Sequence, residues 1–117
     1  MLEQSRANLK EKVIEVRLEF YPQLEQSLRE IGELFPKHIR DEQWTDATNK
    51  LKQIFDDKKY YISRELRVKV RDLLSYINYV EKRTEIEKDD QILDKLIEKC
   101  LEDIEKSMDL SSFVDLD

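Results

Sequence analysis

The chain has 117 residues, of which 39% are apolar and 41% are charged, and its formal net charge at pH 7 is −6. This length fits one domain that can bury a core without metals, and a single cysteine excludes an intrachain disulfide. No apolar run approaches the ~20 residues of a membrane span, and no secretory signal pattern is present, so we expect a cytoplasmic chain.

The first predicted element is a helix from about Ser5 to Leu34. Its apolar residues recur every three or four positions on one face: Leu9, Val13, Val16, Phe20, Leu24, Leu28, Ile31 and Phe35. This stripe keeps its phase through Pro22, which lacks the N–H that would bond the carbonyl of Leu18. We therefore predict one helix bent at Pro22, followed by a stop at Pro36. The alternative is a break at Pro22, which would give five helices.

The second predicted helix follows an N-cap at Asp41 and runs to about Asp56. Its inward face has an edge position at Thr48 and consists of Trp44, Ala47, Leu51, Ile54 and Phe55. Trp44 is expected to anchor the second helix against the first.

The third predicted helix is capped by Ser63, and Tyr76 and Tyr79 flank its stripe of Leu66, Val70, Leu73, Leu74, Ile77 and Val80. The fourth begins either at a Thr84–Glu87 capping box or at a later aspartate. Its stripe begins at Ile92 or Leu93 and continues through Leu96, Ile97, Cys100, Leu101, Ile104 and Met108. Residues 1–110 form the predicted domain, and residues 111–117 form a frayed or loosely docked tail.

The predicted fold is all-α, an antiparallel up-and-down four-helix bundle with a long, Pro-bent first helix. That helix spans about 45 Å, and the second covers only about half of it. Either the bend folds the first helix over the others, or its N-terminal half projects. A projecting stripe of Leu9, Val13, Val16 and Phe20 needs a partner: a second copy in a coiled coil, another protein, or a membrane helix upstream.

The charges are unevenly distributed along the chain. Residues 37–83 carry 12 basic and 8 acidic side chains, whereas residues 84–117 carry 4 and 12. Within the basic part, Arg64, Arg67 and Arg71 line one side of the third helix, just after Lys58, Lys59, Tyr60 and Tyr61. Such a surface can bind a phosphate backbone and stack bases. The acidic net charge favours the alternative that the arginines pair with the fourth helix, so nucleic acid is the less favoured partner.

Catalytic and metal chemistry find little support. His38 is the only histidine, which reduces every histidine-based triad and multi-histidine metal site to one candidate. Glu98, Glu102 and Glu105 share a helical face but are typical of a solvated surface, and Cys100 lies on an apolar stripe. We therefore predict no enzyme activity and no cofactor.

Three fragments carry a resemblance: "VRLEFYPQLEQSL", "WTDATNKLKQIF" and "YYISRELRVKVRDLL". Together they resemble the soluble helical segments that follow a membrane helix in uncharacterised bacterial proteins. The resemblance implies a cytoplasmic part of a membrane-anchored protein, with contact to the membrane only through a segment outside this chain, and it implies no catalytic or ligand residue. The sequence as a whole predicts a non-enzymatic helical interaction or structural module. The alternative is a nucleic-acid or anionic-surface binder that uses the Arg64–Arg71 face.

Overall fold

The computed structural model describes the backbone of residues 2–83 and 91–108 and the side chains of residues 11–83 and 91–107. Over these ranges the protein is all-helical. It has four α-helices, α1 (Leu2–Leu34), α2 (Glu42–Lys58), α3 (Arg64–Glu81) and α4 (Ile92–Met108). This confirms the predicted class and helix order. The Thr84–Glu87 capping box and the 111–117 tail lie outside the described residues.

Helix α1 is continuous through Pro22. Pro22 lies inside the helix with its side chain exposed. The alternative of a break, with an extended loop and five helices, is wrong for this segment. The in-phase stripe on either side of Pro22 thus belongs to one helix, as its spacing predicted.

The core consists of the inward residues of all four helices. Helix α1 packs against α2 and α4, and α3 packs against α4. The buried apolar residues contributed by α1 are Val16, Phe20, Tyr21, Leu24, Leu28 and Ile31, followed by Phe35 just after the helix. Those on the other three helices include Trp44, Leu51, Phe55, Leu66, Val70, Leu73, Ile77, Val80, Leu93, Ile97, Cys100 and Ile104.

Two buried positions resolve points that periodicity left open or misjudged. Leu93 is fully buried while Ile92 is 54% exposed, so Leu93 is the first core residue of α4. Thr48 is buried rather than at an edge, and its hydroxyl donates to the carbonyl of Thr45 at 3.1 Å. That local bond lets a polar side chain lie inside the core without an unpaired donor.

The two predicted N-caps behave differently. Ser63 caps α3 as predicted, and its hydroxyl oxygen accepts from the Leu66 N–H at 3.3 Å. Asp41 occupies the N-cap position of α2 but makes no capping bond with its side chain. Its Oδ2 lies 3.0 Å from Nδ1 of His38 instead, because the turn before α2 brings that ring beside it.

The molecule is elongated, with principal extents of 58 × 23 × 18 Å. Helix α1 has 33 residues, whereas α2, α3 and α4 have 17, 18 and 17. At 1.5 Å per residue these lengths are about 50 Å against about 26 Å. No helix in the described ranges combines the length and apolarity that crossing a bilayer would require.

Candidate interaction surfaces

The first candidate surface is the N-terminal arm, defined here as residues 2–18 of α1. Arg17 marks where it leaves the bundle, because its Nε donates to the carbonyl of Tyr61, 2.7 Å away. Tyr61 lies in the connector that follows the last residue of α2 and precedes the first residue of α3. The fifteen residues before Arg17 therefore continue past that connector for about 22 Å.

The arm carries apolar side chains that the bundle leaves incompletely covered. Leu18 is 47% exposed, and Val13 and Ile14 are half-buried. Leu18 and Ile14 were missed by the sequence analysis because they lie off the main stripe. The signal was available, since Ile14, Leu18 and the buried Tyr21 are spaced by four and three residues.

The four predicted contact residues of the arm fall into different environments. Val16 and Phe20 are 8% and 3% exposed and belong to the chain's own core, so neither is accessible to a partner while the bundle is folded. Val13 remains half-accessible, and the side chain of Leu9 lies outside the described residues. Among the described members of the stripe on the arm, Val13 is thus the one that stays partly accessible.

The second candidate surface is the basic surface, defined as Lys58, Lys59, Tyr60, Tyr61, Arg64, Arg67 and Arg71. Tyr60 is 80% exposed, and Nζ of Lys59 lies 5.4 Å from the centre of its ring. Tyr61, by contrast, packs against the core. The connector therefore offers one free aromatic ring beside a cation, which is the pair of groups that nucleic-acid stacking requires.

The three arginines of the basic surface are not equivalent. Arg64 and Arg71 are exposed, whereas Arg67 is half-buried and its Nε has no hydrogen-bond partner within the described part of the chain. Within the described residues, the ion pair that joins this helix to the fourth is Lys69–Asp103, and none of the three arginines forms one there. Arg64 and Arg71 are exposed at the surface.

The Lys69–Asp103 pair joins α3 to α4 at 2.7 Å, with Asp103 buried and Lys69 about one-third exposed. The hydrogen bond to Asp103 raises the pKa of the Lys69 ammonium. Cys100 lies one turn before Asp103, and burial, reinforced by that carboxylate, raises the pKa of its thiol to about 12. Such a thiol is a core residue with little thiolate, as predicted, and lacks the character of a nucleophile.

Trp44 of α2 contacts two other parts of the bundle. Its ring lies 6.0 Å from that of Phe35, just after α1, and its Nε1 donates to Oε1 of Glu81 on α3 at 3.0 Å. The sequence predicted the anchor to the first helix, but it gave no sign of the bond to Glu81, which is 37 residues away. A shallow groove of about 310 Å³ beside it is lined by Arg40, Thr45, Asn49 and Lys52 as well.

The histidine and the glutamates of α4 show no sign of a catalytic or metal-binding role among the described residues. His38 is exposed and paired with Asp41. Glu98, Glu102 and Glu105 are exposed on α4, and no cluster that could hold a metal ion occurs among the described residues.

No family model matches this chain, and neither a curated protein nor a solved structure does. The likeness to segments that follow a membrane helix therefore stays a prediction carried by the three quoted fragments.

Proposed function

We propose that this chain is a non-enzymatic helical module that binds a helix of another protein, or of a second copy, through the N-terminal arm. The observation that carries this proposal is the length of α1, nearly twice that of each other helix. None of the three shorter helices, which are the other elements in the described part of the chain, is long enough to follow the whole of that arm. An uncovered amphipathic helix is a standard site for helix-in-groove or coiled-coil recognition.

The bundle behind the arm is proposed to be antiparallel and up-and-down, with α1 bent at Pro22. Contacts between opposite helix ends support the alternation. Trp44 near the start of α2 bonds Glu81 at the end of α3, and Lys69 in the first half of α3 pairs with Asp103 late in α4. The bend is supported by the N–H that proline lacks, which leaves the Leu18 carbonyl without its helical donor.

A third contact supports the same arrangement across α1 and α4. A Cβ built on Gly32, near the end of α1, would lie 3.5 Å from Cδ1 of Ile97, near the start of α4. This proximity supports opposite directions for α1 and α4. The two ends of the bundle are then unequal, since one end holds the turn before α2 and the other holds the α2–α3 connector and the departing arm.

Site-specific photocrosslinking in cells tests the arm directly. A photoreactive residue at Val13 is expected to give a discrete crosslinked protein, whereas the same residue at the exposed Glu11 or Glu15, on the other side of the helix, gives none. Leu9→Asp, on the same stripe as Val13, should abolish the crosslink because it buries a carboxylate in the apolar contact. Equal crosslinking at all three positions, or none at any, would rule out recognition through the arm.

Sedimentation velocity of the purified chain separates the two kinds of partner. If the partner is a second copy, the sedimentation coefficient rises with protein concentration, and Val13→Asp removes that rise. If the partner is another protein, the chain sediments as a monomer at every concentration while the cellular crosslink persists. Gln23→Asp is the matched control, because it adds the same single negative charge at an exposed position of α1 outside the arm.

The exposed Tyr60 supports a second candidate, binding of nucleic acid or an anionic surface. The test is titration with a single-stranded oligonucleotide and, separately, with vesicles containing an anionic lipid, at several salt concentrations. Arg64→Glu and Arg71→Glu should weaken binding, while Lys52→Glu on α2 leaves it unchanged. Under the preferred proposal neither probe binds at physiological salt, so micromolar affinity that both arginine variants lose would favour this candidate.

The proposal extends to a place in the cell. The resemblance to segments after a membrane helix supports a cytoplasmic module attached to a membrane protein. The genomic sequence upstream of Met1 tests this, because a run of about 20 apolar residues in frame is required there. Its absence would leave the arm as the binding surface but remove the membrane from the proposal.

A further inference from the structure

We propose that the outer face of α3 binds an acidic amphipathic helix of a partner protein, which places one of its carboxylates among Arg64, Arg67 and Arg71. The outer face is the line of six residues directed away from the core, namely Arg64, Val68, Arg71, Ser75, Tyr79 and Lys82. This inference goes beyond the proposed function, because the surface lies on a different helix and needs neither the N-terminal arm nor the partner of that arm.

All six side chains of the outer face are exposed. At about 100° per residue they lie within a sector of about 80°, on the side of α3 opposite to its buried residues. From Arg64 to Lys82 the line is about 27 Å long, which is five turns of helix. A second helix can therefore lie along it at a shallow crossing angle.

The outer face carries a positive charge that the chain does not neutralise. None of the ion pairs in the described part of the chain includes its two arginines or its lysine. Two carboxylates of α3, those of Glu65 and Asp72, lie beside the line. They are four residues before and three after Lys69, which pairs with Asp103 of α4, so they lie towards that helix. The complement of the outer face is therefore a row of carboxylates.

Arg67, at the edge of the outer face, adds a charge without a counterion. It lies three residues after Arg64 and four before Arg71, so the three guanidinium groups share one side of the helix. Arg67 is half-buried, its Nε is buried without a hydrogen-bond partner, and no ion pair of the described residues includes it. A cation withdrawn from water without a counterion is unfavourable. A carboxylate from a partner compensates it, and guanidinium groups bind carboxylates through two parallel hydrogen bonds.

The exposed apolar groups of the outer face favour a protein helix over nucleic acid. Val68 is 49% exposed between the two arginines, where it offers an aliphatic contact to a leucine but none to a phosphate. Tyr79 is 55% exposed, but Cζ of Arg83 lies 5.5 Å from its ring centre and the ring of Tyr76 lies 5.9 Å away. A ring with these neighbours is a poor platform for a base, yet it remains an apolar contact for a side chain.

The chemistry of the partner follows from this spacing. Val68 and Tyr79 are eleven residues apart, about three helical turns, and the cations lie between and beyond them. A helix lying along this line needs apolar residues that recur every three or four positions, with carboxylates beside them. Two exposed apolar side chains make a small contact, which fits a transient interaction.

Titration of the full chain with a synthetic helix tests this surface. The probe is an alanine-rich peptide of about 20 residues, long enough to be helical alone, with leucine and glutamate side by side on one face. Its control peptide has glutamine in place of every glutamate. The amide NMR signals of residues 64–82 should shift with the glutamate peptide, whereas those of residues 2–18 should not. The glutamine peptide should bind about tenfold more weakly or worse.

Substitutions on α3 separate the contributions to binding. Arg67→Lys keeps the charge but loses the paired hydrogen bonds, so the affinity should fall about tenfold. Val68→Ser should also weaken binding, because it removes an apolar contact. Arg71→Gln should weaken binding by removing one charge, whereas Lys95→Gln, which removes the same charge at an exposed position of α4, should change nothing.

The stability of the free chain gives a reading that needs no peptide. Arg67→Met removes the charge without a counterion and keeps much of the packing of the side chain. The urea midpoint should therefore rise while binding of the peptide is lost. Arg71→Met, at an exposed position, is the matched control and should leave the midpoint nearly unchanged. A lower midpoint for Arg67→Met would show that the chain itself compensates this guanidinium, which overturns the inference.

The peptide titration can overturn the inference in other ways. Absent binding, or equal binding of the glutamine peptide, removes the acidic helix. Shifts in residues 2–18 instead of 64–82 assign such a helix to the arm. Displacement of the peptide by a single-stranded oligonucleotide at physiological salt assigns the outer face to nucleic acid. The crosslink at Val13 depends on none of these results, so failure of the arm and failure of the outer face are distinguishable.

Discussion

The two halves of α1 have the same apolar spacing but different surroundings. From Val16 to Phe35 the stripe is buried, and α1 packs against α2 and α4, whereas Val13 is only partly buried. Leu18, on the opposite face of α1, is 47% exposed. The difference does not come from the helix, which is continuous over both halves. It comes from the shorter lengths of the other helices, since the connector between α2 and α3 lies beside Arg17. A periodic stripe therefore predicts that a face will be covered, and the lengths of the other elements decide which part the chain covers itself.

The largest expected effect is the difference in unfolding free energy between truncations in the core and a truncation in the arm. Leu51→Ala and Leu73→Ala should each lower the free energy of unfolding by ~2–5 kcal/mol, because both side chains are fully buried. Val13→Ala should cost less than about 1 kcal/mol, since it removes less and half-exposed area. Urea unfolding measures all three. Losses below about 1 kcal/mol at both leucines would mean that the core is assigned wrongly.

The fraction of thiolate at neutral pH should differ about a thousandfold between a cysteine in the core and one on the exposed surface of α1. The pKa of Cys100, raised by burial from 9.0 to about 12, leaves it that much less thiolate at neutral pH than an exposed cysteine. Native chain should therefore hardly react with a disulfide reagent, whereas Leu18→Cys in a Cys100→Ala background reacts rapidly. Absorbance of the released thiolate follows both rates, and similar rates would contradict the buried position of Cys100.

The same shift sets a dependence of stability on pH. A thiol whose folded pKa exceeds its unfolded value contributes stability that is complete below about pH 9 and is lost as the pH rises towards about 12. The free energy of unfolding should fall over this interval, and Cys100→Ala should flatten the fall. The raised pKa of Lys69 acts in the same direction, so some dependence should remain in that variant.

Changing the boundary between the halves should have the smallest effect. Pro22→Ala restores a backbone N–H, and on helix propensity alone it stabilises by up to ~3 kcal/mol. The measured gain should be smaller, because a straighter helix draws the arm away from the bundle. Gln23→Ala, at the exposed neighbour, is the control. Circular dichroism and urea unfolding should show equal or greater helix content, and a destabilised variant with less helix would contradict the proposed bend.

Local signals in the sequence were sufficient for the elements of this fold. Periodicity through Pro22 predicted one helix, the end of α1 at Leu34 was placed correctly, and Ser63 was recognised as a cap because its bond to Leu66 is local. Helix ends were less secure, since α2 continues to Lys58 where about Asp56 was predicted. Neither Asp57 nor Lys58 stops a helix, so the chain continues until the connector turns.

Contacts between distant residues were beyond the sequence. Arg17 bonding the Tyr61 carbonyl and Trp44 bonding Glu81 depend on how the helices are set side by side, which periodicity does not contain. The candidate surfaces show the same limit. Val16 and Phe20 were grouped with Val13 by spacing alone, yet the first two are buried in the core and Val13 is only partly buried. Arg67 was grouped with Arg64 and Arg71, although its Nε is buried.

Trp44 also gives the protein an optical reporter. It is the only tryptophan, it is 1% exposed, and it lies where α1 ends and where α2 and α3 meet, far from the arm. Its emission should therefore be that of a shielded indole and should change only when the bundle opens. Far-ultraviolet dichroism, in contrast, counts the arm together with the bundle. Heating curves recorded by the two signals will coincide if the arm melts with the bundle, and a dichroism loss that precedes the emission shift will show the arm melting first.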